Sequence, residues 1–445
     1  MEEYRLVMQH KAKNGRFVDS EIIATGEIKP PESIMDLGLR HKQQIEILRL
    51  IQDSILNCQS KYLMEDISHC PNCDTKLRKN GKNLCSFNAV LTDHKVPVYR
   101  QICGKCKWSS VPSIASLFGT QIHPDLIKLQ CEEVSRQSYP KAQDTLNRQS
   151  ATIRKVNSMM TLHNVIEAVS TYICNTPDTN QALIPTTCAE LVIQVDGGHL
   201  SSKDESSRTF EALTTVVYQP QHVILNELET RGEITQKHCA ASALDDEQVK
   251  IKELTLIAAK KEGLSPETNI TAICDGTRNC WNVIEHLSAH CRSIVSILDW
   301  FHIAMKFKNL GHGETAELDE KIDHAKWCLW NGNTTLFYDR IDELMREINS
   351  EKMLKKISTL REYIANNESK IVNYSDRQNK GQVFTSNNAE CTVESLINQR
   401  CKGKKHMQWS REGVHSILQI RAASASNDWD QNWEKYVLGA YKIAA

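Results

Sequence analysis

Two apolar runs that each end in aspartate and glycine decide the fold: Leu191-Val192-Ile193-Gln194-Val195-Asp196-Gly197 and Ile270-Thr271-Ala272-Ile273-Cys274-Asp275-Gly276. Short runs rich in β-branched residues are typical of buried strands. A third run, Ile294 to Leu298, ends at Asp299, and a helical pattern follows both the second and the third run. Ala212 to Tyr218 and Val223 to Leu228 are further strand patterns, which we expect to pair as a hairpin around Gln219-Pro220-Gln221. This order of elements predicts an α/β fold with a mixed sheet.

The remaining patterns are mostly helical. Residues 4–8 are typical of a short strand, and a polar loop is expected after them. An amphipathic helix is predicted from about Ser33 to Leu56, and the residues expected on its apolar face are Ile47, Leu48, Ile51 and Ile55. Further helices are expected between about 120 and 175 and from about Glu314 to Ile371.

Composition limits the class of protein. The chain has 445 residues, of which 24% are charged and 40% are hydrophobic, and its formal net charge is -1. These values exclude a wholly disordered chain. No apolar run reaches the ~18 residues of a membrane span, and the acidic first residues lack the apolar region of a secretory signal. We therefore expect a cytoplasmic protein with reduced cysteines, in which any nucleic-acid binding rests on local basic patches.

Four cysteines form two CxxC pairs, Cys70-Pro71-Asn72-Cys73 and Cys103-Gly104-Lys105-Cys106. Each pair can offer two thiolates from one tight turn, and tetrahedral Zn²⁺ takes four such ligands. The segment between the pairs can form the hairpins of a zinc ribbon, and Cys85 within it is expected to be a bystander. Four merely buried thiols are the alternative, but they would not explain the doubled spacing. A closed four-cysteine site predicts a structural zinc ion rather than a catalytic one.

The segment from Tyr139 to Val156 has the pattern of a helix-turn-helix. In that interpretation Arg148, Arg154 and Lys155 face DNA phosphates. The ordinary alternative is that scattered cations on short helices lie on the solvated surface of a bundle. The sequence of this segment leaves both open.

Asp196 and Asp275 each follow a predicted strand directly. Carboxylates at the same edge of a sheet can supply oxygen ligands to Mg²⁺ or Mn²⁺. Two such ions can support phosphodiester displacement by activating the attacking oxygen and stabilising the leaving one. An aspartate at a strand end can also merely begin a turn or cap the next helix, as Asp275 could do.

Further polar residues follow downstream. Asp299 and His302 lie three apart at the start of a predicted helix, where they could either contribute to the site or form an ordinary N-cap with a surface histidine. Glu390 and Glu394 share one helix face, so spacing alone leaves two candidates for a third carboxylate. A basic stretch follows, which could contact the DNA backbone or form a solvated loop. Its members are Arg400, Lys402, Lys404, Lys405 and His406.

Taken in order, these motifs resemble a bacterial insertion-sequence transposase of the DDE class, on the branch related to Mutator-like and hAT-like elements. The resemblance spans most of residues 66–425. The motifs that carry it, in chain order, are Cys70-Pro71-x-Cys73, Tyr99-Arg100-x-x-Cys103-x-x-Cys106, Ser138-Tyr139 to Ala142, Val195-Asp196-Gly197, Cys274-Asp275-Gly276, Leu298-Asp299-Trp300-Phe301-His302, Ala389-Glu390, Arg400 and Met407-Gln408-Trp409-Ser410.

The resemblance implies roles for individual residues. Asp196 and Asp275 would be the first and second catalytic carboxylates, and Asp299 with His302 would match the family's (C/D)xxH signature. The spacing to Arg400 and to Met407-x-Trp409 places Glu390, rather than Glu394, on the family's catalytic glutamate. These three carboxylates would hold two Mg²⁺ or Mn²⁺ ions.

The resemblance also implies an RNase H-like mixed sheet with an all-helical insertion, preceded by a zinc ribbon and a helix-turn-helix-like region. The expected domains are an N-terminal strand and helix (1–65), the zinc ribbon (66–115), the helical DNA-binding region (116–180), the first part of the catalytic core (185–302), the helical insertion (303–385), the second part of the core (386–425) and a C-terminal tail (426–445).

The expected activity is cleavage and transfer of double-stranded DNA at the ends of an insertion sequence, by a homodimer or larger assembly on DNA in the cytoplasm, associated with the nucleoid. Two alternatives remain open at the level of sequence. One is a domesticated DNA-binding protein without catalysis, and the other is an RNase H-like nuclease that joins no strands.

Overall fold

The computed structural model describes residues 2–11, 15–63, 68–176, 187–225, 232–311, 315–386, 394–402 and 407–441. The chain divides into two compact units, Met1–Tyr172 with Gln431–Ala445, and Ile173–Asp430. Within the described ranges, no helix is both long and apolar enough to cross a membrane.

The first unit contains two antiparallel sheets and several helices. Its strands are β1 (Glu2–Lys11), β2 (Phe17–Ile28), β3 (Arg78–Asn88), β4 (Asp93–Ile102) and β5 (Ser109–Ser110). Its helices are α1 (His41–Gln59), α2 (Ile114–Phe118), α3 (Pro124–Arg136), α4 (Tyr139–Gln149) and most of α5 (Met159–Asn175). β1 pairs with β2, and the second sheet has the order β3-β4-β5. The expected helices between 120 and 175 are therefore present.

Two N-terminal predictions need correction. The polar loop expected after the first strand is instead the long strand β2, which pairs with β1 along its length. The helix expected from Ser33 begins only at His41, because Ser33 caps a single 3-10 turn (Ile34–Asp36) and Gly38 then adopts a positive φ of 68°. Leu48 and Ile55 on the predicted apolar face are 50% and 38% exposed.

The second unit is built on one five-stranded sheet. Its strands are β6 (Glu190–Ser201), β7 (Thr209–Tyr218), β10 (His238–Ser242), β11 (Asn269–Cys274) and β12 (Ser293–Leu298), and their order is β10-β7-β6-β11-β12. β7 is antiparallel to both of its neighbours, β6 and β10, whereas β11 runs parallel to both β6 and β12. The mixed α/β sheet predicted from the sequence is confirmed.

The hairpin predicted around Gln219-Pro220-Gln221 is wrong. β8 (Val223–Leu225) does not continue the main sheet but pairs with β9 (Gly232–Ile234) in a separate two-stranded sheet. β7 pairs instead with β6 and with β10. The physical reason is that Pro220–His222 forms a 3-10 turn, after which the chain leaves the ladder.

Helices flank and follow this sheet. They are α6 (Val249–Lys261), α7 (Arg278–Glu285), α8 (Trp300–Leu310), α9 (Ala316–Trp330), α10 (Thr334–Glu347), α11 (Glu351–Asn366), α12 (Tyr374–Asn379), a π-helical segment (Glu394–Lys402), α13 (Arg411–Ala425) and α14 (Trp429–Ala440), which ends in the first unit. The run α9 to α11 agrees with the helical pattern expected from Glu314 to Ile371, and α12 lies beyond it. The sheet core is apolar, with Ile193, Ile270 and Leu298 fully buried.

Candidate active site

Strand register places three aspartates at neighbouring points on one side of the sheet. Cys274 on the middle strand β11 pairs with Val195 on β6 and with Leu298 on β12. The residues that follow these three are Asp196, Asp275 and Asp299. Asp275 and Asp299 follow the ends of β11 and β12. The strand end expected at Asp196 is wrong, because β6 continues to Ser201 and Asp196 pairs with Thr214 of β7 inside the sheet. Since β6, β11 and β12 are parallel and in register, the three aspartates nevertheless lie at the same level. The structure therefore brings together three carboxylates that the sequence distributes over more than one hundred positions.

Asp196 and Asp275 each use one oxygen in local hydrogen bonds. Oδ1 of Asp196 accepts from the backbone N–H of Gly197 at 2.7 Å. Oδ1 of Asp275 accepts from the backbone N–H and the hydroxyl of Thr277, both at 2.9 Å, and Thr277 is the N-cap of α7. Asp275 thus forms the turn that a strand-end aspartate commonly forms. Both of these bonds use Oδ1, and neither uses Oδ2.

Asp299 is held much more completely. Its side chain is 1% exposed. Its Oδ1 accepts from the backbone N–H groups of Phe301 and Ser386, and its Oδ2 accepts from the Ser386 hydroxyl. The fourth bond joins Oδ2 to Nδ1 of His302 at 2.8 Å. Asp299 is therefore both the N-cap of α8 and the group that orients His302, and its four bonds leave it poorly suited to bind a metal ion.

His302 shifts the pKa values of Asp196 and Asp299, and both carboxylates shift the pKa of His302 in turn. The pKa of Asp196 is raised to about 6, mainly by burial and also by the negative charges of Asp275 and Asp299, while the charge of His302 opposes them. Burial alone would lower the pKa of His302, but its hydrogen bond to Asp299 and the neighbouring carboxylates outweigh burial and raise it. Burial would likewise raise the pKa of Asp299, yet the bonds from His302 and Ser386 lower it.

Two tyrosines of the helical region form hydrogen bonds to the backbone at the ends of β11 and β12. The Tyr363 hydroxyl donates to the carbonyl of Asp275 at 2.8 Å, and the Tyr374 hydroxyl donates to the carbonyl of Leu298 at 2.7 Å. Gly276, at φ 93°, has no room for a side chain, because a Cβ would lie 2.8 Å from Leu298 and 2.9 Å from Tyr363. Tyr363, Tyr374 and Ser386 were not among the residues expected at this site. For the two tyrosines, the available signal was the hydroxyl group, which needs a partner when buried. Ser386 had no local signal, because its partner Asp299 is distant in sequence.

The third carboxylate predicted by resemblance, Glu390, lies outside the described residues. The segment that follows it, Glu394–Lys402, packs against β6 through Ile397. The contact is at Gly198, where an added Cβ would lie only 3.2 Å from two atoms of the Ile397 side chain. Glu394 is exposed, and its carboxylate accepts a hydrogen bond from Asn398 at 2.8 Å. This segment therefore begins beside the strand that carries Asp196.

Trp409 anchors the end of the same segment to β6. Its backbone N–H donates to the carbonyl of Ser201 at 2.9 Å, and its carbonyl accepts from Lys203 at 2.9 Å. Its indole N–H donates to the carbonyl of Cys401 at 3.0 Å. Arg400 is 2% exposed, and its guanidinium lies 4.9 Å from the centre of the Trp409 ring.

Burial separates the predicted DNA-contacting cations into two groups. Arg154 is 4% exposed and donates to Asp93 and to the carbonyls of Ala89 and Val90. Neither Arg154 nor the buried Arg400 presents its guanidinium to a surface, so both are structural in this fold, in contrast to our expectation. Arg148, Lys155 and Lys402 are exposed. Lys404 and Lys405 lie outside the described residues.

The two CxxC pairs meet in the first unit. The four sulfurs of Cys70, Cys73, Cys103 and Cys106 lie within 4.8 Å of one another. Each pair sits in a turn whose following residue, Asp74 or Lys107, has a positive φ. The group can therefore hold a structural zinc ion. Cys85 is not part of it and packs in the hydrophobic core with Val96, Val98 and Ile114, as expected of a bystander.

Among the described residues, these cysteines are the one group of three or more potential ligand side chains gathered so closely. Asp196 and Asp275 lie outside that group. Two carboxylates are nevertheless a ligand set that Mg²⁺ commonly uses together with water and substrate phosphates.

No model of a known protein family matches the chain, and no curated protein matches it.

Proposed function

We propose that this protein is a DDE-class transposase, which cleaves double-stranded DNA at the ends of an insertion sequence and transfers the freed strand to target DNA. The observation that carries the proposal is the in-register placement of Asp196 and Asp275 on neighbouring parallel strands, beside the Asp299–His302 pair. The sheet, with three antiparallel strands followed by two parallel ones, agrees with the RNase H-like core that the sequence resemblance implies.

The electrostatics of the pair suit divalent cations. Burial raises the pKa of Asp196, and the repulsion from the neighbouring Asp275 and Asp299 carboxylates adds to that effect, so a cation beside Asp196 would stabilise its charged form. Asp196, Asp275 and Glu390 would hold two Mg²⁺ or Mn²⁺ ions, which supply a nucleophile and stabilise the leaving oxygen. His302, which Asp299 holds by a hydrogen bond and whose pKa is raised, would in its protonated form offer a positive hydrogen-bond donor beside the carboxylates.

Other parts of the chain would bind and position DNA. The cysteine module would be a zinc ribbon, and together with the helical region 116–180 it would recognise the element ends. Arg148, Lys155, Lys402, Lys404 and Lys405 are the cations proposed to contact phosphates. Because two element ends must be joined in one complex, we propose a homodimer or larger assembly on DNA, in the cytoplasm and associated with the nucleoid.

Assays with DNA that carries the sequences flanking the gene test the function. Wild-type protein should nick the strand at the element end in Mg²⁺ and join the freed 3′-OH to a second duplex, and inverted repeats should flank the reading frame. Asp196→Ala should abolish both steps, whereas Asp323→Ala, which removes an exposed carboxylate on α9, should leave them unchanged. Cleavage by Asp196→Ala would refute the assignment. Nicking without joining would indicate the nuclease alternative, and DNA binding without either step would indicate the non-catalytic one.

A further inference from the structure

The helical region contains an open pocket with an unusual concentration of lysines. Its volume is about 410 Å³, within the ~300–1,000 Å³ of ordinary ligand sites. Four of its eight lining residues are lysines, and none is acidic: the residues are Lys306, Asn309, Leu310, Lys352, Lys355, Lys356, Thr359 and Leu360. Leu310 and Leu360 are buried and form an apolar floor, so the cationic groups surround a concave surface rather than a flat one.

Lys306, Lys352 and Lys355 form no ion pair with an acidic residue in the described part of the chain. Lys356 is committed to the fold, because its ammonium group donates to the carbonyls of Asn309 and Leu310 at the end of α8, both at 2.9 Å. The Lys306 ammonium lies 4.1 Å from the centre of the Tyr363 ring. Lys352 and Lys355 are exposed. Several like charges around one concavity repel one another, and an anionic ligand would relieve that repulsion.

Two connections between residues place the pocket next to the carboxylate site. Lys306 and His302 are four residues apart on α8 and therefore on the same face, one helical turn from each other. Tyr363, which lies under the Lys306 ammonium, donates to the carbonyl of Asp275. A chain of phosphates that passes the carboxylates could thus continue into the pocket.

We propose that this lysine pocket binds backbone phosphates of the DNA strand whose neighbouring phosphodiester lies at Asp196 and Asp275. The inference rests on the proposed function and adds to it a second, cationic subsite on the helical region. Lys306, Lys352 and Lys355 bind the strand electrostatically without reading its sequence. Lys356 keeps the end of α8 in place.

The affinity of the protein for DNA of arbitrary sequence tests whether this pocket binds phosphates. The probe is a fluorescent ~30-base-pair duplex with a single-stranded extension, titrated at several salt concentrations. The double variant Lys352→Ala/Lys355→Ala should bind on the order of tenfold more weakly, and its log–log salt slope should fall by about 2. The control Lys260→Ala/Lys308→Ala removes the same charge from exposed positions of the same unit that do not line the pocket.

The outcomes separate the pocket from the function. Equal affinity of the pocket and control variants would overturn the pocket while leaving cleavage by the wild type intact. Weaker binding of inorganic tripolyphosphate by the pocket variant, with DNA affinity unchanged, would assign the pocket to a free phosphate ligand and also overturn it. If the wild type neither binds nor cleaves DNA, the proposed function fails, and this inference fails with it. Unchanged melting temperatures of both variants show that the fold is intact.

Discussion

Burial and the neighbouring carboxylates both disfavour the charged form of Asp196. Its pKa lies near 6 instead of 3.8, so the folded state holds this proton more tightly than the unfolded chain does. Stability therefore falls as the pH rises from about 4 to about 6, and the full penalty is present at neutral pH. The difference corresponds to at most about 3 kcal/mol.

Asp196→Asn should consequently stabilise the metal-free protein. Thermal unfolding in EDTA at pH ~8 should show a gain of about 1–3 kcal/mol, and the gain should disappear below pH ~4, where the wild-type carboxyl is protonated. Asp323→Asn, at an exposed position, is the matched control. Adding Mn²⁺ should raise the wild-type melting temperature and not that of the variant. Equal melting curves in EDTA would contradict the electrostatic account of the site.

The Asp299–His302 pair has its own pH signature. The raised pKa of His302 means that its stabilising contribution is complete below about pH 6.5 and is lost as the pH rises through the folded value. The lowered pKa of Asp299 means that its contribution is complete above about pH 4 and is lost as the pH falls further.

His302→Gln should therefore destabilise the protein most between about pH 4 and 6.5, and progressively less at alkaline pH. Chemical denaturation across this range measures the effect, with His286→Gln at an exposed site as control. A loss of stability that is the same at every pH would show that the charged form of His302 has no special role.

Individual residues were predictable from sequence to different extents. Asp196, Asp275, Asp299 and His302 were accessible because a polar residue after a buried strand is a local pattern. The burial of Arg154 was not accessible, since its carboxylate partner Asp93 lies far away in the sequence. Charge alone indicated a surface role for this arginine, and long-range packing decided otherwise.

At the scale of elements, the contact between Gly198 and Ile397 fixes the segment that follows Glu390. Gly198→Ala would place a Cβ 3.2 Å from Ile397 Cδ1 and Cγ2, so Ile397 or the segment must move. We expect a loss of about 1–2 kcal/mol and a larger loss of DNA cleavage, because the displaced segment adjoins the predicted catalytic glutamate.

The second-site change Ile397→Val tests this interpretation, since it removes Cδ1 and should restore part of the stability and activity of Gly198→Ala. Urea denaturation and the nicking assay measure both variants. If Gly198→Ala is as stable and active as the wild type, β6 does not position this segment.

Elements were predictable where their signal was local. β11 and β12 appear within one residue of the expected runs, because each is a continuous run rich in β-branched residues. The pairing of strands was harder to predict from the sequence. A loop was expected where β2 lies, and β8 was expected to pair with β7 instead of β9. A strand's neighbour depends on residues distant in sequence, such as those of β10, which pair with β7.

At the scale of the whole molecule, the cysteine group should bind one zinc ion per chain. Cys73→Ser should abolish stoichiometric zinc, measured by mass spectrometry of the metal content, and should lower the melting temperature, because a small module of this kind depends on its metal. Cys85→Ala should retain zinc even if its core packing suffers, since Cys85 lies outside the group. Full zinc content in Cys73→Ser would contradict the assignment.

The proposed chemistry depends on distant acidic side chains that meet around divalent cations. Anomalous diffraction from crystals soaked in Mn²⁺ tests this most directly. We expect manganese peaks at the edge of the sheet, with oxygens of Asp196, Asp275 and Glu390 at ~2.0–2.2 Å. An ordered Glu390 that points away from this edge, with no manganese beside Asp196 and Asp275, would contradict it.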